Sequence, residues 1–386
     1  MRLARRLNGE KSRYKAVYNH GSTGQGKGIV MAATTFDQSA ADAFVGRLVE
    51  MVNDGMLCLM VSVGHRTGLF DTLAGLPAST SAQLAERSGL NERYVREWLG
   101  AMVTGKLIDH DPAARTYTLP AEHAASLTRA AGLDNIALQT QYLALLGTVE
   151  DQIVACFRNG GGVPYAAFGD FQRLMAEDSA TTFDAKLLTV TLPLVDGLTD
   201  RLSAGIDVAD VGCGSGHALN LMAAAYPASR FVGYDFSDEG LGRGRAEAAE
   251  KRLTNVRFEA QDAATLDAAS RYDLITTFDA IHDQARPDLV LAAIRKALRP
   301  GGVYLCVDVD ASSDLAKNRE HPLGPMLYTI STMHCMTVSL ALGGAGLGTV
   351  WGRELALEML RTAGFTRVDV RNVEGDVLNA YYIARP

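Results

Sequence analysis

The sequence predicts an α/β protein in two parts: an open, mostly parallel sheet with crossover helices, preceded by a helical winged-helix domain. Three observations carry this. From Val208 to Phe236 the chain reads as a buried strand, a glycine turn, a helix and a second strand. Beyond Asp235 strands and helices go on alternating, which implies parallel strands joined by crossovers. Upstream, two capped helices and two short extended pieces fall between Thr80 and Leu119 in the order of a winged helix.

Composition narrows the class. With 386 residues there is room for about two domains, and 47% apolar with 21% charged residues is ordinary for a globular chain. No apolar run approaches the roughly 18 residues of a membrane helix; Gly55 to Val63 is too short. A net charge of −7 argues against non-specific nucleic-acid binding. That charge is uneven: residues 1–30 hold seven Lys or Arg against one Glu, leaving about −13 on the rest. This leader lacks the apolar core of a secretory signal and faintly resembles an organelle transit peptide. The plainer expectation for residues 1–35 is a disordered tail, or an upstream extension of a protein that begins near Met31. The five cysteines (Cys58, Cys156, Cys213, Cys306, Cys335) are scattered, which favours a reducing cytosol over disulfides or structural zinc.

Residues 36–125 form the winged-helix and dimerisation part. From Ala40 to about Thr72 apolar residues recur at helical spacing, and Leu57 to Val61 is apolar on nearly every side. Such a helix is expected to be buried in a large core or against another subunit. Thr80 or Ser81 caps a helix closed by Gly89, and Asn91 caps a second one containing Arg93, Arg96, Trp98 and Leu99. Leu107 to His110 and Thr116 to Leu119 are the wing. A DNA-reading helix offers basic and amide side chains at its start. Here Glu92, Arg93, Arg96 and Glu97 cancel, while Tyr94, Val95, Trp98 and Leu99 are expected to pack. Residues 126–185 read as a helical connector containing the loop Gly160 to Tyr165, with Tyr165, Phe168 and Phe171 either capping a pocket or packing between domains. Thr182 to Leu202 is expected to be one helix.

Residues 186–386 carry the sheet, with strands at 256–260, 272–278, 303–308, 367–370 and 380–384 after the first two. Gly212, Gly214 and Gly216 permit a tight turn and a close approach of ligand to backbone. Asp235, about 20 residues on, stands where a carboxylate accepts hydrogen bonds from ribose hydroxyls. The dinucleotide pattern G-x-G-x-x-G is not met, because His217 occupies its third glycine. G-x-G-x-G behind Asp210 resembles instead the class I S-adenosylmethionine-dependent methyltransferases, and L-R-P-G-G at 298–302 is a further mark of that family. The domain order resembles the winged-helix small-molecule O-methyltransferases. The resemblance implies a Rossmann-like seven-stranded sheet that binds S-adenosyl-L-methionine. By motif position it implies contacts from Asp210, Gly212, Gly214, Gly216, Asp235 and Phe236, with Asp262 and Ala263 at the adenine and Phe278 near the methyl group. The alternative for Asp262 is a helix cap.

The fourth strand ends F-D-A-I-H-D-Q, and the resemblance makes His282 the base that takes the acceptor's proton. A phenol of pKa about 10 is mostly protonated at neutral pH, and a histidine near 6.5 is a suitable acceptor. The adjacent Asp283 is the expected orienting group, and Gln284 stands where the family has tryptophan, so catalysis by positioning alone stays open. The insert 311–352 holds His334, a second candidate base or substrate partner, among Met326, Tyr328, Met333, Cys335 and Met336, which suit an adaptable pocket. No metal site is expected: Asp279 and Asp308 have no evident third ligand. The reading is a cytosolic methyltransferase, O-directed, acting on a small and fairly apolar molecule as a homodimer, without membrane or nucleic acid. Its rivals are a winged-helix regulator that senses S-adenosylmethionine and a nicotinamide-dependent oxidoreductase.

Overall fold

The structure is a computed structural model that describes residues 36–386. The expected basic leader lies outside the described residues. The described residues before Met51 belong to one unit and Met51–Pro386 form another; apart from the start of the first helix, the architecture below is that of the second.

A long helix, Gln38–Thr67, ends where Gly68 turns left-handed and restarts the chain as Leu69–Ala74. The next helix, Ser81–Ser88, opens on a reciprocal cap in which Thr80 and Gln83 satisfy each other's backbone groups, and Gly89 closes it in the left-handed region. Asn91 caps Glu92–Thr104, and β1 (Asp109–Asp111) pairs with β2 (Thr116–Thr118) as the wing. Val61, Phe70, Leu84, Val95, Trp98, Leu99 and Met102 make this domain's core, and Trp98 Nε1 donates to the Met60 carbonyl at 2.9 Å. One expectation is corrected here: Tyr94 does not pack but is 79% exposed. The apolar helix keeps Met51, Val52, Met56 and Leu59 on the surface of the single chain. The charges of the second helix do cancel, Arg96 on Glu92 and Arg93 on Glu97.

The seven-stranded sheet has the order β5-β4-β3-β6-β7-β9-β8. Its strands are β3 (Asp207–Val211), β4 (Arg230–Asp235), β5 (Val256–Ala260), β6 (Tyr272–Phe278), β7 (Leu298–Val309), β8 (Arg367–Arg371) and β9 (Asn379–Arg385). The first five run parallel, and β9 enters antiparallel between β7 and β8. Alternation along the strands sends Ala209, Val211, Val232 and Ile275 into one apolar layer with helices Pro287–Ala297 and Gly352–Thr362. Val208, Phe231, Leu274 and Leu305 enter the other, with Leu198–Ala204, His217–Ala225 and Asp238–Glu250. Strand order reverses beside β3, between β4 and β6, and the crevice at that point is where such sheets bind ligands.

The expected helix Thr182 to Leu202 is broken. A wide π-helical turn, Phe183–Thr191, follows Phe171–Thr182, and after Leu192–Leu194 the chain restarts at Gly197 (φ 72°) as Leu198–Ala204. Pro193 in the short turn cannot continue the helical hydrogen-bond ladder.

Candidate active site

A cavity of about 550 Å³ opens at the carboxyl ends of β3, β4 and β6. Its floor is the glycine turn. Gly212, Gly214 and Gly216 all have positive φ. A Cβ on Gly216 would meet the Phe258 ring at 2.2 Å, whereas one on Gly214 would meet nothing within 4 Å. Gly216 therefore serves helix-to-strand packing, and Gly214 leaves backbone bare to the cavity. Asp235 steadies the turn, accepting from Gly214 N at 2.8 Å and from Ser237 N at 2.8 Å. His217, where the dinucleotide pattern has glycine, ties the turn outward to Glu247 at 2.7 Å and Asp184 at 2.9 Å.

Asp210 is buried, accepts from Thr276 Oγ1 at 2.7 Å, and is pushed up to about 7 chiefly by burial. Phe236 and Phe278 line the cavity, the latter edge-on to Phe183. Asp262 lines it too while accepting from Ala264 N at 2.9 Å, the cap the sequence offered. Ala263 is corrected: its side chain lies in the core, and Ala264 lines the cavity instead.

These groups suit the family's cosubstrate, S-adenosylmethionine. Bare backbone at Gly214 leaves room for the nucleoside, the Asp235 oxygens keep lone pairs beyond their two backbone donors, and buried Asp210 offers negative charge for a cationic end.

His282 and His334 both reach this cavity, in different states. His282 is buried, with Nδ1 at 2.7 Å from Asp308 Oδ1. That oxygen also accepts from Trp351 Nε1 at 3.1 Å and Val309 N at 2.8 Å. Burial works against an imidazolium, but the Asp308 carboxylate outweighs it and holds His282 well above its usual range. The expected orienting role of Asp283 is thereby corrected, since Asp308, one residue before the end of β7, performs it. The register supplies the reason: Phe278 pairs with Val307, so the residues that follow on both strands emerge together. The sequence showed acids at both of these strand ends, and adjacency of β6 and β7 was the missing signal.

His334 lies in a wide helical turn, Ser331–Cys335, stacked on Phe171 at 3.8 Å with Tyr165 and Phe168 edge-on. Burial and the nearby His282 push it down to about 3, so it is neutral. The three aromatics are brought there by the glycine loop. A Cβ on Gly162 would lie 2.0 Å from the Thr337 carbonyl oxygen, and Val163 N donates to Thr337 Oγ1 at 2.8 Å, which makes the loop a tight clasp. Three lining residues escaped sequence reasoning: Gln139 Nε2 donates to Asp178 at 2.7 Å and Tyr142 O–H to its other oxygen at 2.9 Å. Gln139 lies in a turn, Tyr142 on the short helix Gln141–Gly147 and Asp178 on Phe171–Thr182, and no motif marked them.

The expectation of no third metal-binding group is corrected as well. Asp279, His282 and Asp308 bring donor atoms within 4.8 Å of one another. The His282–Asp308 hydrogen bond already accounts for two of them.

Residues 202–363 match the model of a methyltransferase domain, and residues 55–129 that of an Rv2258c-like winged helix-turn-helix domain. Human N-acetylserotonin methyltransferase, solved in complex with S-adenosylmethionine, superposes with a TM-score of 0.63 at 17% identity, covering 92% of this chain and 99% of that one. Mitomycin 7-O-methyltransferase MmcR does so at 0.63 and 16%, covering 91% and 100%. A trans-aconitate 2-methyltransferase of Deinococcus radiodurans is 35% identical over 112 residues, which are 29% of this chain and 41% of that enzyme. The chain thus spans about two-fifths of the length of that curated relative. Fold and matches together place a methyltransferase-like domain at residues 202–363 behind a winged helix-turn-helix-like domain at 55–129. In architecture the chain is similar to the small-molecule O-methyltransferases. No helix among the described residues is long and apolar enough to cross a membrane.

Proposed function

We propose that this protein methylates an oxygen of a small, largely apolar acceptor, with His282 as general base and Asp308 as its orienting partner. The observation that carries the reading is the buried His282–Asp308 hydrogen bond of 2.7 Å on the wall of the cavity floored by the glycine turn. When bound, S-adenosylmethionine supplies an electrophilic methyl group on sulfonium. The chain's own residues do the rest. Asp308 engages Nδ1, which leaves Nε2 as the nitrogen to take the acceptor's hydroxyl proton. Tyr165, Phe171 and Phe278 wall the cavity and exclude water, and a fixed line of attack lowers the barrier by orientation. His334 is too weak a base to share the role, because burial keeps it neutral to about 3, so it acts as a wall and a hydrogen-bond partner. Phe36, Phe44, Met51, Met56 and Leu59 stay exposed along or beside the long helix, which supports a homodimer formed through it.

Calorimetry with S-adenosylhomocysteine against NAD tests the cosubstrate, and binding of NAD alone would refute it. His282→Ala is expected to lower turnover about 10²–10⁴-fold with the affinity for S-adenosylhomocysteine nearly unchanged. Full activity in that variant removes the base.

A further inference from the structure

We propose that the methyl acceptor is an aromatic molecule carrying a protonated amine. The inference rests on the methyltransferase reading and deepens it by assigning the acceptor's charge.

The wall opposite the glycine turn is aromatic and apolar: Tyr165, Phe171, Met326, Leu327 and Ile330, with the neutral ring of His334 stacked on Phe171. Three carboxylates interrupt it around His282, namely Asp178, Asp279 and Asp283. Asp178 has two donors, Gln139 and Tyr142. The side-chain oxygens of Asp279 and Asp283 accept no hydrogen bond from another described residue. Of the lining residues only Arg286 is a lysine or arginine, and two of its three guanidinium nitrogens rest on Asp288, at 3.0 and 2.7 Å. His282 is engaged by Asp308, and His334 is neutral. The ring nitrogen Nε2 of His334, on a side chain 1% exposed, also has no partner.

Asp279 is exposed to the cavity, and Asp283 is half-buried in its wall. A carboxylate that faces a largely apolar cavity without a partner favours a proton or a counter-ion beside it. Burial, reinforced by Asp308, pushes Asp279 up to about 7, and burial pushes Asp283 up to about 6. A cation bound beside them favours their ionised form, the protons leaving to solvent. A ligand ammonium answers the missing charge, and an aromatic ring beside it fills the apolar wall and receives the cation's neighbourhood favourably. A carboxylate in the same place would meet three acids, while the cavity's cationic side chains, Arg286 and His282, already rest on Asp288 and Asp308.

The test uses ring-matched phenols that differ in the charge of the tail: tyramine, 4-ethylphenol and 4-hydroxyphenylacetate. Each is titrated by calorimetry into full-length protein saturated with S-adenosylhomocysteine, whose uncharged sulfur removes the sulfonium from the comparison. Tyramine is expected to bind about tenfold or more tightly than 4-ethylphenol, and 4-hydroxyphenylacetate more weakly than both. Asp283→Asn and Asp178→Asn, checked for retained S-adenosylhomocysteine binding, are each expected to cut the amine's advantage about threefold or more. Equal affinities, a preference for the carboxylate, or binding by none of the three overturns the proposal. Loss of S-adenosylhomocysteine binding in the unaltered protein would instead remove the methyltransferase reading itself, so the two failures are told apart.

Discussion

Two histidines 52 residues apart share one cavity and differ in what their neighbours do to a proton. His282 is held above its usual range by Asp308, so its basic form grows as pH rises. The acid limb of kcat/KM is therefore expected to have its midpoint above the ordinary histidine value of 6.5. Asp308→Asn removes the charge that raises it, and the limb should move to lower pH with a loss of rate; a pH profile unmoved by the substitution excludes the pairing. His334 behaves oppositely. Its folded pKa of about 3 lies below the 6.5 of an exposed histidine, so between these values the unfolded chain binds more protons. Stability is thus lost as pH falls from 6.5 towards 3. His334→Gln abolishes this, and relative to the unaltered protein the variant should gain roughly 2 kcal/mol between pH 6.5 and pH 5. Denaturant melts of both proteins at the two pH values measure it.

The glycine turn joins β3 to the helix His217–Ala225, and its three glycines serve different ends. Gly216 faces the Phe258 ring, and at φ 68° any side chain is also strained. Gly216→Ala should cost about 2–4 kcal/mol of stability through backbone strain plus overpacking. Gly214 has the same sign of φ and open space beyond its Cα. Gly214→Ala should cost only about 1–2 kcal/mol of stability yet weaken S-adenosylhomocysteine disproportionately, since the added methyl enters the cavity. Thermal melts beside calorimetry separate the two, and equal effects on both readouts would void the division of labour. The clasp at Gly162 works on the same principle of backbone approach, and it carries Tyr165 and Phe171 onto His334.

At the scale of the molecule, the long helix leaves Met51, Val52, Met56 and Leu59 on the surface, and Leu143 joins them in one apolar groove. Apolar area of that kind on a surface marks an association site. Met56→Glu places a charge in it, and the variant should sediment as a monomer where the unaltered protein sediments as a dimer. A monomeric unaltered protein refutes the homodimer.

Much of the sheet was legible in the residues themselves. Alternation fixed β3 to β6 and β9 to within a residue or so, Thr80, Gly89 and Asn91 announced their caps, and the glycines with Asp210 and Asp235 marked one end of the cavity. These are local signals: a period, a cap or a turn is decided by residues a few positions apart. The insert and the connector were opaque, because their helices are short and interrupted by π-helical turns at Phe183–Thr191 and Ser331–Cys335. What the sequence determined by itself was therefore a parallel sheet with a nucleoside-sized turn between two acids. Which carboxylate meets His282, which rings enclose His334 and where Asp178 faces were decided only by tertiary structure, since Asp308, Phe171 and Tyr142 reach their partners from strands and helices 26, 163 and 36 residues away.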